Sequence, residues 1–265
     1  MLQQKARVLW NQEVAPAYFR IGLECLYGFA RAKPGQFVMV RTSEGVDPLL
    51  RRPFSIHKPI VRKNRNVGIE LLYKVVGKGT TILSGLPIDD SVNILGPLGS
   101  AFLLPTAARR IVLVAGGIGV APMVFLASHL LQGGIDPSDC SVFLGGRTRE
   151  DLLCIDEFKK LGMAVNTTTD DGSAGDQCLV TVPVGSAVAD ARPDVIYACG
   201  PEAMLDCVVG IARAYSIPCQ LSIETRMACG MGACLGCAVA AEDRPGRYYH
   251  ACLDGPVFDS ESIRL

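Results

Sequence analysis

No stretch of this 265-residue sequence is apolar for long enough to suggest a bilayer crossing. The longest nearly apolar run, Ile111 to Ala127, is broken by Gly116, Gly117, Gly119 and Pro122. It falls short of the roughly 20 residues a spanning helix needs. No secretory leader is expected either, because Met1 to Pro16 mixes Lys5, Arg7 and Glu13 and has no apolar centre. The expectation is a cytoplasmic protein. Charge of one sign is not in excess: Lys+Arg 26 balance Asp+Glu 26. A sequence-independent binder of a phosphate backbone needs a basic surplus, so nucleic acid is not an expected partner. Histidine numbers only 3, few for acid–base chemistry, and no Ser–His–Asp or metalloprotease pattern occurs. Repeats and low-complexity segments are absent. Hydrophobic residues at 49% and charged ones at 20% exclude a disordered chain.

Cysteine and glycine are plentiful, at 11 and 28 residues. An odd cysteine count in a chain read as cytoplasmic argues against a disulfide framework. Cys25, Cys140, Cys154, Cys178, Cys199, Cys207 and Cys219 are scattered and suit burial as small hydrophobes. Cys229, Cys234, Cys237 and Cys252 instead follow C-x4-C-x2-C-x14-C. Four such thiols can be free, can hold zinc, or can hold an iron–sulfur cluster. Structural zinc usually pairs two short knuckles, whereas three cysteines in one loop and a distant fourth match the plant-type [2Fe–2S] spacing. His250 is a less suitable replacement for Cys252 as the fourth ligand.

The first hundred residues hold short β-prone runs: Ala6–Leu9, Tyr18–Glu24, Phe37–Arg41, Ser55–Val61, Gly68–Lys74 and Ser91–Leu95. Turn signals at Pro34-Gly35, Asp47-Pro48 and Leu86-Pro87 separate them, which predicts a sandwich or barrel. The rhythm then changes. Strands are expected at Arg110–Ala115, Cys140–Gly145, Met163–Thr168 and Val195–Cys199. Helices are expected over Val120–Gln132, from about Glu150 to Gly162, and over Glu202–Tyr215. Such alternation predicts a doubly wound parallel sheet. Pro105 with Thr106 to Ala108 marks the first boundary, giving segments 1–104, 105–222 and 223–265.

Four short motifs remain. Gly116-Gly117-Ile118-Gly119 follows a buried strand and opens a helix, where N–H groups favour a phosphate. It is not G-x-G-x-x-G, and a plain strand–helix turn would read the same way. Cys199-Gly200-Pro201 lies at another strand's carboxyl end. Arg52-Pro53-Phe54-Ser55 gathers a cation, an aromatic and a hydroxyl, and Gly77-Lys78-Gly79-Thr80-Thr81 makes a glycine-rich turn. Taken singly, each is compatible with a purely structural role. Arg147 and Arg149 could meet a 2′-phosphate or be solvated loop charges.

In this order the motifs resemble the ferredoxin–NADP reductase superfamily over residues 1–222. With the cysteine tail, the whole chain resembles the electron-transfer subunits of heterotetrameric, NAD-linked dihydroorotate dehydrogenases. Leu72 to Thr80, Gly96-Pro97-Leu98-Gly99 and Thr169-Asp170-Asp171-Gly172-Ser173 carry that likeness. The resemblance implies an antiparallel β-barrel for FAD, a doubly wound α/β domain for NAD, and a small [2Fe–2S] module. It places Arg52 at the FAD pyrophosphate, Pro53 and Phe54 against FAD, and Ser55 at the flavin N5 edge. Phe54 stands where the superfamily favours Tyr, so packing is kept and a phenol hydrogen bond is not. Leu72, Tyr73 and Lys74 would line the isoalloxazine and ribityl region, and Gly79, Thr80 and Thr81 would hold phosphate. Gly117 and Gly119 would flank the nicotinamide dinucleotide, with Cys199 and Gly200 near the nicotinamide. His57 is expected to pack as a strand histidine. The implied partner is an FMN-containing catalytic subunit, two of each chain, oxidising dihydroorotate to orotate. No substrate base is evident here. Two rivals share features: a diaphorase-type subunit of a soluble hydrogenase or ferredoxin:NADP transhydrogenase, and a zinc-stabilised adaptor without catalysis.

Overall fold

A computed structural model describes residues 2–25, 27–104 and 108–265. Six antiparallel strands, β1 (Leu2–Ala15), β2 (Tyr18–Glu24), β3 (Phe37–Arg41), β4 (Arg52–Arg62), β5 (Arg65–Lys74) and β6 (Ser91–Leu98), close into a barrel ordered β1-β2-β5-β4-β3-β6. The strands alternate, and their inward residues Val8, Ile21, Leu23, Val38, Val40, Ile56, Ile69, Leu71 and Ile94 fill one interior. Closure leaves no free edge. A short helix, α1 (Lys78–Ser84), lies between β5 and β6.

The second unit interleaves β7 (Ile111–Gly116), α2 (Ala121–Gln132), β8 (Cys140–Gly146), α3 (Ile155–Lys160), β9 (Ala164–Thr169), α4 (Thr181–Asp190), β10 (Val195–Cys199), α5 (Glu202–Ala214) and β11 (Cys219–Ser222). Its strands are parallel. Ile111, Leu113 and Ala115 face α2, while Val112 and Val114 face α4 and α5, so successive residues serve opposite cores. The tail adds a hairpin of β12 (Ala238–Ala240) and β13 (Tyr248–His250) and ends near β14 (Val257–Asp259). β14 pairs antiparallel with β11 and so becomes the edge of the six-stranded sheet, in order β14-β11-β10-β7-β8-β9. The tail's Cys237, Ala251, Cys252 and Phe258 share a core with Phe37 and Met39 of the barrel.

The expected barrel strands form, though β1 runs far beyond Ala6–Leu9 and β4 starts at Arg52. The expected helix from Glu150 is shorter. Residues Arg149–Asp151 make a separate 3-10 turn, and Cys154 at φ 63 interrupts the path before α3. Helix α4 and strands β11 to β14 were not foreseen. Of the expected boundary, 105–107 lie outside the described residues, and Ala108 is buried.

Polar clusters join barrel to sheet. In one, Tyr18 donates its hydroxyl to Asp151, Lys74 Nζ lies 3.1 Å from Asp151 Oδ1, and the Arg147 N–H donates to Oδ2 at 3.1 Å. Burial opposes the charge on Asp151, but Tyr18 and Lys74 outweigh it and hold the carboxyl below the usual aspartate range. A depressed folded pKa stabilises above the unfolded value of about 4 and is lost as pH falls through the lower folded value. Asp151→Asn should therefore cost roughly 1.5–3 kcal/mol at neutral pH. It should also flatten the acid limb of the urea-unfolding profile; an unchanged limb would show that the contact carries no stability.

Candidate functional site

The loop from Cys229 to Cys237 is folded around sulfur. Gly230 and Gly232 take φ of 71 and 80, which turns the backbone so that its N–H groups point inward. Met231 and Cys234 N–H groups each lie 3.4 Å from Cys229 Sγ, and the Gly232 N–H lies 3.1 Å from Cys252 Sγ. The thiols form two pairs. Cys237 and Cys252 are buried with sulfurs 3.3 Å apart, and Cys229 interacts with Cys234 nearer the surface. Burial works against ionising Cys229, yet the N–H groups of Met231, Cys234 and Ala233 bring it down to about 7. Burial and the neighbouring Cys237 push Cys252 up to about 12.

This donor set fits a two-metal cluster. Thiolates around one tetrahedral zinc stand about 3.8 Å apart. Among the described residues, no three of these four sulfurs lie within 4.8 Å of one another. Two pairs, each for one iron and surrounded by amide donors, match [2Fe–2S] instead. His250 does not join the set: its N–H donates to Asp254 Oδ2 at 2.7 Å and its ring lies 3.9 Å from that oxygen.

A cleft of about 280 Å³ opens between barrel and sheet, lined by Arg52, Pro53, Phe54, Ser55, Leu72, Tyr73, Lys74, Thr80 and Cys199 among others. Phe54 meets Tyr73 edge-on at 5.5 Å, giving the cleft an aromatic wall. Arg52 donates to the carbonyls of Leu50 and Arg51 at 2.6 and 3.3 Å; among the described residues no carboxylate pairs with it. A Cβ on Gly79 would stand 3.2 Å from Arg52 Nε and 3.3 Å from Thr42 Oγ1. Thr42 Oγ1 is buried without a hydrogen-bond partner. Glycine thus keeps open a polar cradle of the kind a phosphate fills. Thr80 and Thr81 sit differently from expectation: both hydroxyls donate to the Gly77 carbonyl, at 2.8 and 3.2 Å, and so shape the turn.

A second cleft, of about 1060 Å³, continues from the first across the carboxyl ends of the parallel strands. Gly117, Gly119, Gly200, Arg147, Asp151 and Asp170 line it. Gly117 takes φ 52 with open space where a Cβ would stand. Gly119 has another reason to be glycine: a Cβ there would lie 2.3 Å from the Cys199 carbonyl. It lets the first loop pack on the Cys199–Gly200 loop. Cys199 itself is buried, and burial pushes its thiol up to about 12, so it is an inert wall. Arg149 is committed, donating to the Ser173 carbonyl at 3.1 and 2.7 Å.

Sequence reasoning missed the segment from Ser222 to Thr225. Ile223, Glu224 and Thr225 line both clefts where they meet. Thr225 Oγ1 is buried and unpaired, and loss of solvent around the Glu224 carboxyl raises its pKa, although the residue as a whole is exposed. The segment follows β11, so the carboxyl-end rule would have found it had that strand been read.

Residues 224–264 match a family model described as the iron–sulfur cluster binding domain of dihydroorotate dehydrogenase B. Residues 113–210 match the oxidoreductase NAD-binding domain. The chain is 39% identical over 260 residues to a protein of Desulforamulus reducens named dihydroorotate dehydrogenase B (NAD(+)), electron transfer subunit, covering 97% of each. A protein of the same name from Listeria monocytogenes is 37% identical over 270 residues, covering 100% of both chains. The chain belongs to the family of dihydroorotate dehydrogenase B electron transfer subunits. A solved NADH-dependent reduced ferredoxin-NADP oxidoreductase has a TM-score of 0.84 at 29% identity, over 98% of this chain and 89% of that one. Phthalate dioxygenase reductase shares the fold at TM-score 0.64 and 19% identity, over 85% and 70% of the two chains. The family is an oxidoreductase family, as the resemblance implied, and not that of a zinc-stabilised adaptor.

Gly119→Ala tests the packing of the two glycine loops at the strand ends. It should lower NADH-dependent dye reduction roughly 100-fold by misplacing the loops, while the flavin absorbance of the purified protein is unchanged. Full activity would mean that the loops tolerate a methyl group.

Proposed function

We propose that this chain carries electrons between a partner dehydrogenase and NAD⁺, through a [2Fe–2S] cluster and FAD. The observation that carries it is the continuity of the clefts: the aromatic-walled one and the strand-end one share Lys74, Val76, Ile118, Ile223, Glu224 and Thr225. Met227 lines the first cleft two residues before Cys229. The cluster loop packs on the barrel as well, since a Cβ on Gly230 would stand 2.4 Å from Met39 Cγ.

The three segments 1–104, 105–222 and 223–265 divide the labour as FAD, NAD and cluster regions. FAD supplies the chemistry that joins two-electron hydride transfer to one-electron transfer. The chain's residues bind and orient. Arg52, Gly79 and the backbone N–H groups starting α1 face the pyrophosphate. Pro53, Phe54 and Ser55 on β4, with Leu72, Tyr73 and Lys74 on β5, seat the flavin. Gly117 with its loop, held by Gly119 against Cys199 and Gly200, receives the dinucleotide. Asp170 lining the second cleft and the committed Arg149 support NAD, whereas Arg147 on the same cleft is placed to meet a 2′-phosphate. Cys229, Cys234, Cys237 and Cys252 hold the cluster.

The partner is an FMN-containing catalytic subunit that oxidises dihydroorotate to orotate in pyrimidine biosynthesis, two of each in a heterotetramer. Met231, Ala233 and Leu235 are exposed beside the cluster, with Leu253 next to them. Exposed apolar side chains grouped in this way suit a docking face. Free cysteines throughout suit a reducing, cytoplasmic setting.

Arg52→Ala removes one charge-assisted contact of roughly 1.5–3 kcal/mol, so FAD affinity should fall about 10- to 150-fold in fluorescence titration. Wild-type affinity would leave Arg52 a surface charge. The function itself is tested with the isolated chain, which should reduce a dye with NADH yet leave dihydroorotate unoxidised. Leu235→Asp should weaken association with the partner while dye reduction continues. Turnover of dihydroorotate by the chain alone would overturn the proposal.

A further inference from the structure

A second group of metal-type donors lies about the seam between barrel and sheet, apart from the cysteine loop. His57 on β4 is fully buried, and its Nδ1 stands 2.7 Å from the Ala121 carbonyl at the start of α2. A carbonyl only accepts, so Nδ1 donates to it and Nε2 faces the other way. There Nε2 meets two carboxylates, Glu157 Oε2 at 3.5 Å and Glu70 Oε1 at 3.8 Å. None of the three atoms has a hydrogen-bond partner, although Lys58 Nζ forms an ion pair with Glu70 Oε1 at 3.2 Å. Carboxylates this close in a dry pocket repel unless something positive lies among them, either these neighbouring cations or a bound ion.

The spacing says what fits. Separations of 3.5 and 3.8 Å are long for N–H···O bonds. The shorter is close to the edge of a tetrahedron whose ligands stand about 2.0–2.2 Å from a central ion, roughly 3.3–3.6 Å. Cys154 Sγ completes the arrangement: it, His57 Nε2 and a Glu157 oxygen all lie within 4.8 Å of one another. A backbone carbonyl holding the far nitrogen is also the usual support of a metal-binding histidine.

We propose that His57, Cys154 and Glu157, with Glu70 beside them, form a binding site for one divalent ion of the zinc class, which ties the flavin barrel to the nucleotide domain. Mixed nitrogen, sulfur and oxygen donors select such an ion over calcium or magnesium. His57 on β4 and Glu70 on β5 come from barrel strands, and His57 is also fixed to α2. Cys154 and Glu157 come from the turn before α3 and from α3 itself. On binding, a bond forms between the ion and Cys154 Sγ, and the thiol proton leaves to water. Burial and then Glu157 push that thiol up to about 12, so the ion is what deprotonates it.

The neighbouring cations are consistent with this. Arg20 pairs with Glu157 and lies 3.3 Å from Cys154 Sγ, so its guanidinium would support the bound thiolate and carboxylate. Lys58 Nζ lies 3.2 Å from Glu70 Oε1 with its side chain 36% exposed, so it can swing to solvent. Without an ion, Arg20 and Lys58 balance Glu70 and Glu157. With an ion, the dication and Arg20 balance Glu70, Glu157 and the Cys154 thiolate once Lys58 has left. Both states are neutral.

The test uses the purified chain with its iron and flavin, incubated with zinc sulfate and desalted. Element analysis should find about one zinc per chain beside the iron. His57→Gln and Cys154→Ser should each lose that zinc while iron and flavin contents stay unchanged, which separates loss of the site from failure to fold. Lys58→Met, which removes the competing cation, should tighten zinc binding about tenfold in a chelator competition. No zinc in the wild type, or zinc kept by both ligand variants, would overturn the proposal. So would zinc that disappears only when Cys229 is changed, because the ion would then sit on the cluster cysteines.

Discussion

The pairing of β14 with β11 holds the cysteine loop where it is. The tail leaves the sheet after Ser222, passes the mouth of both clefts, makes the loop and hairpin, and returns to hydrogen-bond along the strand it left. Both ends of the loop are therefore fixed to the same sheet edge. Cys237 and Cys252 enter the hydrophobic core shared by barrel and sheet, and Gly230 packs against Met39 of β3. The separation between the aromatic-walled cleft and the cysteine loop thus depends on packed strands and not on a linker. Electron transfer between carriers needs a fixed distance of this sort.

A second constraint acts across the seam. The barrel offers Tyr18, Arg20, His57, Lys58, Glu70 and Lys74, and the sheet domain answers with Asp151, Cys154 and Glu157. Most of these groups are buried or half-buried, so an unmatched one is costly, while Lys58 and Lys74 keep part of their side chains in solvent. Matching fixes how the two domains lie, and hence how the aromatic cleft faces the strand-end cleft. Phe125 of α2 adds an apolar anchor by entering the barrel core. Ser55 and His57 share β4: one lines the aromatic-walled cleft and the other faces the seam, so the cleft wall and the domain orientation are set by one strand.

How much of this could be read from the sequence depended on element length and on whether function left a pattern. The six barrel strands and the strands from β7 to β10 were legible because each carries several apolar residues between turn signals. Helix α4 was hidden by Pro183 and Gly185, although Pro in a first turn is tolerated and Val184 and Val188 still give it a buried face. Strands β12 to β14 have three residues each, too few to show a period. The cysteine spacing was legible at once, since four thiols at fixed intervals have few other uses. The segment from Ser222 to Thr225 was not, because its residues are ordinary and only the end of β11 gives them meaning. Gly119 was read as a ligand contact, whereas the structure also gives it a packing role. The seam cluster was illegible because its members are spread from Arg20 to Glu157.

The central claim is that one chain contains the whole path from nucleotide to cluster. Rapid mixing of the isolated holoprotein with NADH, followed by freeze-quenching, tests it most directly. Flavin bleaching should come first and a reduced [2Fe–2S] signal in electron paramagnetic resonance should follow, without any partner present. A flavin that bleaches while the cluster stays oxidised at every time would contradict the account, because the cleft and the cysteine loop would then not be connected for electrons.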